Sequence, residues 1–248
     1  MKFTRILGPI IILLIWFLIA SLGTISKLIL PSPLQVLTGL IDILAIKADL
    51  WLHIGLTLYR TIISFIFACL IGIPIGLLMG YIAPVYRSLE FLVDFFRSIP
   101  PIALFPVFLL TLGIGELSKL GVPFYGCVLV IIVNSVYGVL NAPTLRRIVG
   151  KVYGLNKAQV FFKIVIPDSI PQVFIGMRTA LSLALVLTIV VEMFIGSKSG
   201  LGKKIYDYHL VFDSAKMYAT IIVTGAIGYL LNQGFIKFER KFIHWTDK

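Results

Sequence analysis

Six long stretches of the sequence carry few or no charged residues, and they constrain the fold more than any other feature. A helix that crosses the hydrocarbon of a bilayer needs about 20 mostly apolar residues. Five uncharged runs are long enough, namely 6–26, 61–86, 98–115, 120–145 and 217–236, and a sixth, 170–196, is interrupted only by Arg178 and Glu192. The pattern predicts an all-α membrane protein with six transmembrane helices, the second of which begins near Ile54.

The composition excludes a soluble domain. Hydrophobic residues make up 59% of the chain, charged residues 13%, and the mean hydropathy is +1.03, whereas about a quarter of the residues in a soluble domain are charged. The basic start at residues 1–5 is also typical of a signal peptide. The uncharged run after it exceeds a signal core, however, and no A-x-A site follows, which favours a membrane helix.

The net charge of +11 is better explained by membrane orientation than by nucleic-acid binding. Lys and Arg collect in cytoplasmic loops. With six spans both termini share one side, which carries 13 basic residues against 7 on the other. The excess places both termini in the cytoplasm. On that side lie Lys2, Arg5, Arg87, Arg97, Arg146, Arg147, Lys151, Lys157, Lys163, Lys237, Arg240, Lys241 and Lys248, and opposite them Lys27, Lys47, Lys119, Lys198, Lys203, Lys204 and Lys216.

The sequence offers no catalytic or metal-binding pattern. Cys69 and Cys127 lie inside apolar runs, as packing thiols do. The spacing of His53, His209 and His244 does not suggest a metal site. The glycine- and lysine-rich stretch 196–204 fails the G-x-x-x-x-G-K-[ST] spacing of a phosphate loop, because its last position is Lys204. We therefore expect no nucleotide or cofactor site in this chain.

Two local patterns predict helix geometry. Ser32 followed by Pro33 and Gln35 is a capping box, which predicts a short surface helix. Small residues recur at every fourth position of the second span and line one helical face, where a neighbouring helix can approach closely. These residues, which we assign to helix packing rather than to a direct role in transport, are Ser64, Ala68, Gly72, Gly76 and Gly80. Pro74 in the same span suggests a kink.

A few polar residues within the spans are candidates for a translocation pathway. A charge at the centre of a bilayer costs about 2.5–3.5 kcal/mol, so such a residue is usually paired, near an interface or facing water. The spacing from Arg178 through Ser182 to Glu192 follows one helical face. Whether this face lines a path or contacts another helix stays open, and the same holds for the remaining candidates. The candidates are Arg60, Asn134, Arg178, Ser182 and Glu192.

The basic segment 141–172, on the predicted cytoplasmic side, mixes aromatic, aliphatic and basic residues. Pro167 and Pro171 are expected to end it just before the fifth span. It suits either a helix at the membrane surface or a helix that docks a cytoplasmic partner, and composition does not separate the two.

From Leu30 to Trp245 the chain resembles the permeases of bacterial binding-protein-dependent ABC importers, in the sulfonate, taurine and nitrate branch. Each matching piece is weak, but their order and spacing together are specific. The pieces are Leu30-Pro31-Ser32-Pro33; His53, Thr57 and Arg60; Gly72-Ile73-Pro74-Ile75-Gly76; Arg97-Ser98-Ile99-Pro100-Pro101 with Ala103 and Pro106; Gly113-Ile114-Gly115-Glu116; Gly154 and Pro167; Gly176-Met177-Arg178; Val191-Glu192-Met193; and Gly200-Leu201-Gly202.

The family's cytoplasmic loop reads E-x-A-x-x-x-G, then nine residues, then I-x-L-P. This chain keeps the glycine, Gly154, and the proline, Pro167, but has Ile148, Gly150 and Ile166 at the glutamate, alanine and leucine positions. The resemblance implies a coupling helix that sits in a groove of an ATPase, and the missing glutamate puts one polar docking contact in doubt. The coupling residues carried over are Gly154, Leu155, Phe161, Phe162, Ile166 and Pro167.

The resemblance also implies a type I ABC importer permease fold, with residues 1–248 as one transmembrane permease domain, a family core at about 54–240 and the coupling loop at 141–172. The permease would be a homodimer in the inner membrane with its pathway on the two-fold axis. Two cytoplasmic ATPase subunits, which hold ATP and Mg²⁺, would drive it. A solute-binding protein outside would deliver the substrate.

The substrate stays open at this point. A sulfonate or another small anion is favoured, because Arg60 and Arg178 offer positive charge near the route. A thiamine-precursor pyrimidine or another small organic solute is the alternative. Two remoter classes are a membrane protein without transport activity and a lipid-acting membrane enzyme, for which Glu192, His53 and His209 would have to meet.

Overall fold

The structure, a computed structural model, describes residues 4–23, 25–26, 28–46, 50–194 and 197–243. Helices account for its regular structure, and no strand occurs in these ranges. Some residues named in the sequence analysis lie outside the described residues, namely Gly196, His244, Trp245, Lys2, Lys27, Lys47 and Lys248.

Eleven α-helices can be followed through the described ranges. Three short turns interrupt them: a π turn at Asp42–Ile46, a 3₁₀ turn at Pro101–Leu104 and a π turn at Phe161–Val165. The helices are α1 (Thr4–Ser21), α2 (Pro33–Ile41), α3 (Leu50–Tyr81), α4 (Ala83–Ser98), α5 (Phe105–Leu112), α6 (Glu116–Leu140), α7 (Thr144–Val152), α8 (Lys157–Val160), α9 (Ile166–Met193), α10 (Leu201–Leu210) and α11 (Ser214–Phe242).

Four of the described helical segments are long and apolar enough to cross a membrane: α3, α6, the continuous run Lys157–Met193, and α11. The pair α4 and Pro101–Leu112 passes the same test jointly, which makes up to five spans. The predicted all-α membrane fold is therefore confirmed. At the place of the first predicted span lies α1, whose apolar part, Leu7–Ser21, is shorter than the helices that can cross a membrane. The sixth span therefore stays a prediction.

The third predicted span, 98–115, is not one straight helix. The chain bends by 86° between α4 and Pro101–Leu112. Ile99, which precedes Pro100, has the extended backbone angles φ −83° and ψ 120°, because a proline disfavours helical geometry in the residue before it. The two consecutive prolines thus end α4 and start a new helical direction.

The prolines of the basic segment act differently from the prediction. Pro167 and Pro171 do not end the segment, since helix continues from Lys157 to Met193. Just before Pro167 the backbone widens into a π turn, in which the Ile166 N–H donates to the Phe161 carbonyl, five residues back. The longer repeat accommodates a residue that has no N–H to donate.

The predicted surface helix is present as α2. The Ser32 side chain accepts from the Gln35 N–H, and the Gln35 side chain accepts from the Ser32 N–H at 2.9 Å. Both halves of the capping box are therefore formed.

The described chain divides into two compact units, Met1–Thr57 with Glu192–Ile227, and Leu58–Val191 with Gly228–Lys248. In the first unit, Trp16 stacks on Tyr218 at 6.3 Å between ring centroids and donates its indole N–H to the Pro31 carbonyl at 3.0 Å. Lys216 at the start of α11 pairs with Asp42 at 3.1 Å. These contacts join α1 and α11 to the residues on either side of α2.

In the second unit α3 and α6 pack along the small-residue face. A Cβ added to Gly76 would lie 2.5 Å from the Ile132 carbonyl oxygen, and one on Gly80 would lie 2.7 Å from Val139 Cβ. Gly72 meets Ile131 in the same way, Ala68 is fully buried, and Ser64 donates to the Leu120 carbonyl at 3.0 Å. Helices associate closely in lipid where small residues let their backbones approach.

Replacement of Gly76 by Ala should destabilise the protein, because the new methyl group meets the backbone of α6. We expect a loss of about 1–3 kcal/mol in the free energy of unfolding, the usual cost of overpacking. Gly55→Ala is the matched control on α3, since a Cβ there meets nothing within 4 Å. Unfolding in mixed detergent micelles measures both, and equal stabilities would contradict the packing described here.

Candidate functional site

The segment 144–166, which we call the docking segment, ends its first helix with a hydrogen-bonded turn. Gly154 has φ +76°, a left-handed conformation that glycine adopts without strain. Its N–H donates to the Lys151 carbonyl at 2.9 Å, and the Leu155 N–H donates to the Gly150 carbonyl at 3.0 Å. These two bonds form a Schellman motif, so Gly154 sets the direction in which the chain leaves α7.

A hydrogen bond and apolar contacts hold the rest of the docking segment to α3. The Tyr81 hydroxyl donates to the Lys157 carbonyl at 3.0 Å, and the Tyr81 ring lies 4.9 Å from the ring of Phe161. Leu155, Phe161 and Ile166 pack on a buried cluster that contains Val160 and Val165. Four of the proposed coupling residues therefore face inward or sit at a turn, and the sequence did not distinguish them from Phe162, which is exposed.

The outer surface of the docking segment is apolar and basic. Val152 is 81% exposed, Tyr153 82% and Phe162 66%. An apolar cleft of about 370 Å³ opens beside α7, lined by Leu145, Arg146, Val149, Gly150, Tyr153, Leu155 and Ile164. Exposed apolar surface of this kind marks a contact with a protein or a membrane.

Arg60 on α3 is fully buried and paired. Its Nε lies 2.6 Å from Glu116 Oε2, and its Nη2 lies 2.8 Å from Glu116 Oε1. Lys119 pairs with the same carboxylate at 3.0 Å. A two-pronged guanidinium–carboxylate contact is a strong charge-assisted bond, so Arg60 serves to join α3 to α6.

Asn134, Arg178 and Ser182 lie in three different contacts. Gln172 on α9 donates to the Asn134 side-chain oxygen at 3.1 Å, which links α6 to α9. Arg178 pairs with Glu239 on α11 at 3.7 Å. Ser182 is exposed and donates to the Arg178 carbonyl in its own helix at 3.4 Å. Each of these three candidates thus has its own contact within the second unit, and the role of the candidates in transport stays a prediction.

Glu192, in the first unit, lies near the end of α9 and is fully buried beside the start of α10. Its carboxylate accepts from the Thr57 hydroxyl at 2.9 and 3.0 Å and from the Gly202 N–H at 3.1 Å. A carboxylate at a helix N-terminus is stabilised by the unpaired N–H groups and the helix dipole. Gly200, at φ +126°, leaves the space that the carboxyl group occupies, because a Cβ there would collide with it.

The backbone of residues 200–202 is held by two further side chains. The Gly200 N–H donates to His53 Nδ1 and the Leu201 N–H to the Thr57 hydroxyl, both at 2.9 Å. The backbone N–H groups of all three residues, 200 to 202, thus have protein acceptors. His53 and Glu192 converge on this backbone, while His209 lies beside Tyr206.

Sequence reasoning missed several partners that complete these contacts. Glu116 and Thr57 were noted only as parts of family motifs, because the need of a buried charge for a partner does not identify which residue supplies it. Among the described residues no group of His, Cys, Asp and Glu could hold a metal ion.

Replacement of Thr57 by Val should release the 200–202 backbone, because the change keeps the side-chain shape but removes a donor to Glu192 and an acceptor for Leu201. We expect a loss of about 1–3 kcal/mol in stability, typical of buried groups left without partners, and faster hydrogen exchange at Leu201 and Gly202. Thr179→Val is the control, since Thr179 is exposed and bonds its own helix. Unchanged exchange in Thr57→Val would contradict this arrangement.

Comparison with known proteins identifies relatives along nearly the whole chain. The profile of the family described as "Binding-protein-dependent transport system inner membrane component" matches residues 72–242. The taurine transport system permease protein TauC of Escherichia coli (strain K12) is 29% identical over 98% of this chain and 90% of its own. The nitrate import permease protein NrtB of Synechocystis is 30% identical over 94% of this chain and 86% of its own.

Solved structures show the same fold. A chain of the MetNI methionine ABC transporter, described in inward-facing conformations, aligns with a TM-score of 0.68 at 21% identity, covering 88% of this chain and 99% of the other. A chain of an amino acid ABC transporter aligns with a TM-score of 0.62 at 15% identity, over 88% and 98%.

The apolar helical spans, the family profile and the shared fold lead to one assignment. This chain belongs to the binding-protein-dependent transport system inner membrane components, the permease subunits of ABC importers.

Proposed function

We propose that this chain is the membrane subunit of an ATP-driven importer for a small solute, and that a cytoplasmic ATPase binds the docking segment. The observation that carries the proposal is the exposed apolar and basic surface of residues 144–166, held in shape by the turn at Gly154. Such a surface costs free energy in water and becomes favourable when a partner covers it. A membrane-surface position for the segment is the competing explanation.

The assembly around the chain follows from the same proposal. Two copies would form the translocation pathway, two ATPase subunits would bind ATP and Mg²⁺, and a solute-binding protein would deliver the substrate from outside. Both termini would lie in the cytoplasm. The excess of basic residues on that side supports this orientation, and the description of the family as binding-protein-dependent supports a solute-binding protein as a partner.

We favour a sulfonate or another small anion as the substrate. The support comes from the names of two relatives, a taurine and a nitrate permease. The positive charges of Arg60 and Arg178 add less than the sequence suggested, because each faces a carboxylate.

Replacement of Gly154 by Val should weaken the coupling of ATP hydrolysis to uptake while the protein still inserts. Valine is strained at φ +76° because its side chain is branched at Cβ, so the chain would leave α7 in another direction. Gly154→Asn is the matched control, since asparagine tolerates the left-handed region. We expect at least a severalfold fall in taurine or nitrate uptake per ATP hydrolysed for Gly154→Val and near-normal coupling for Gly154→Asn. Equal coupling in both variants would argue against a docking role for this turn.

The orientation can be tested with single cysteines in a Cys69→Ser, Cys127→Ala background. Tyr153→Cys on the docking segment and Val211→Cys after α10 are both highly exposed positions. A membrane-impermeant maleimide should label Tyr153→Cys only in inside-out vesicles and Val211→Cys only in right-side-out vesicles. Labelling of Tyr153→Cys from the exterior would exclude an ATPase at this segment.

A further inference from the structure

Two guanidinium groups of α7 connect the docking segment to the membrane helices. Arg146 Nη1 pairs with Asp168 Oδ1, in the first turn of α9. Arg147 Nη2 donates to the Val139 carbonyl, in the last turn of α6. The carbonyls of a last helical turn have no partner within their helix, so they are natural acceptors for such a donor. Neighbouring residues of α7 thus reach two different transmembrane helices.

The acidic partner of this connection is buried. The Asp168 side chain is 8% exposed, whereas that of Arg146 is 65% exposed. The sequence of α7, TLRRIVGKV, contains no acidic residue, so its counter-charge comes from α9. A buried carboxylate that loses its cation becomes an uncompensated charge, which makes the connection hard to break.

Apart from the backbone bonds of the Gly154 turn, apolar side-chain contacts join α7 to the rest of the docking segment. The end of the Ile164 side chain fills the space over Gly150, and Leu155 lies beside it. Apolar contact is non-directional, so it permits sliding. Charge-assisted hydrogen bonds fix both distance and direction.

The connection also keeps spare hydrogen-bonding capacity. Within the described ranges neither Asp168 Oδ2 nor Arg147 Nε, both buried, has a hydrogen-bond partner. Buried polar atoms without partners cost free energy and call for an explanation beyond stability. A connection with a spare acceptor and a spare donor can change its bonding when α7 moves, without coming apart.

We propose that Asp168, with Arg146 and Arg147, is a positioning residue that makes α6 and α9 move with α7. The proposal rests on the proposed function, in which an ATPase holds the docking segment. Asp168 touches neither ATP nor solute, and it acts by passing the displacement of α7 to the transmembrane helices.

The test uses the full-length permease co-purified with its ATPase in lipid nanodiscs, in the background without native cysteines. A bimane fluorophore at Val152→Cys reports on α7, and one at Val186→Cys, which is 58% exposed, reports on α9. ATP with vanadate is added, so no transported solute is needed. The variants are Asp168→Asn, Asp168→Glu as the conservative replacement, and Asp94→Asn as the control, since Asp94 forms an exposed pair with Arg97 at 3.3 Å.

We expect ATP with vanadate to shift the emission at both positions in the unmodified protein and in Asp94→Asn. Asp168→Asn should keep the shift at Val152→Cys and lose most of the shift at Val186→Cys, and Asp168→Glu should restore it. If Asp168→Asn fails to insert, Arg146→Gln, which removes the exposed partner, should show the same loss.

A full shift at Val186→Cys in Asp168→Asn, or in Arg146→Gln where that variant is used, would overturn the inference and leave the proposed function intact. If the unmodified permease does not co-purify with an ATPase, or Val152→Cys does not respond, the proposed function fails and the inference fails with it.

Discussion

Close backbone contact between α3 and α6 is the interaction on which the larger unit depends. In lipid there is no hydrophobic gain from bringing two apolar helices together, so their association requires close packing and interhelical hydrogen bonds. The glycines at 72, 76 and 80 let α6 approach to the distance of direct backbone contact. Towards the start of α3 the same pair of helices is joined by the bond from Ser64 to the Leu120 carbonyl and by Arg60 with Glu116. Packing and polar contacts therefore reinforce one interface.

The charged residues in the spans show how this chain meets the cost of burial. Arg60 has a carboxylate across the helix interface, Arg178 has Glu239, and Glu192 has the N-terminus of α10. Each of these interactions lowers the free-energy cost of placing a charge away from water. Residues that the sequence offered as pathway candidates thus hold helices together in this structure. A charge satisfied in this way contributes less to attracting a solute than an unpaired one would.

The sequence predicted what depends on local pattern and missed what depends on distant partners. The capping box at Ser32 and the small-residue face of α3 are periodic or adjacent features, so they could be read directly. The predictions of one straight span across Ile99 and of a helix end at Pro167 were wrong. A proline either ends a helix or is accommodated by a π turn, and the surrounding packing decides which. The partner of Arg60 lies 56 residues away, and no spacing rule selects Glu116 from other acids.

The two departures from the family's loop pattern have linked physical consequences. Gly150, at the alanine position, leaves room for the end of the Ile164 side chain, which a Cβ would meet. Ile148, at the glutamate position, is 55% exposed and adds an apolar group where a charge is usual. The end of the Ile164 side chain therefore packs directly against Gly150, and the outer face of the docking segment is apolar and basic. Under the proposed function, the ATPase that covers this face needs an apolar groove with acidic groups at its edge, which would restrict the permease to an ATPase of matching surface.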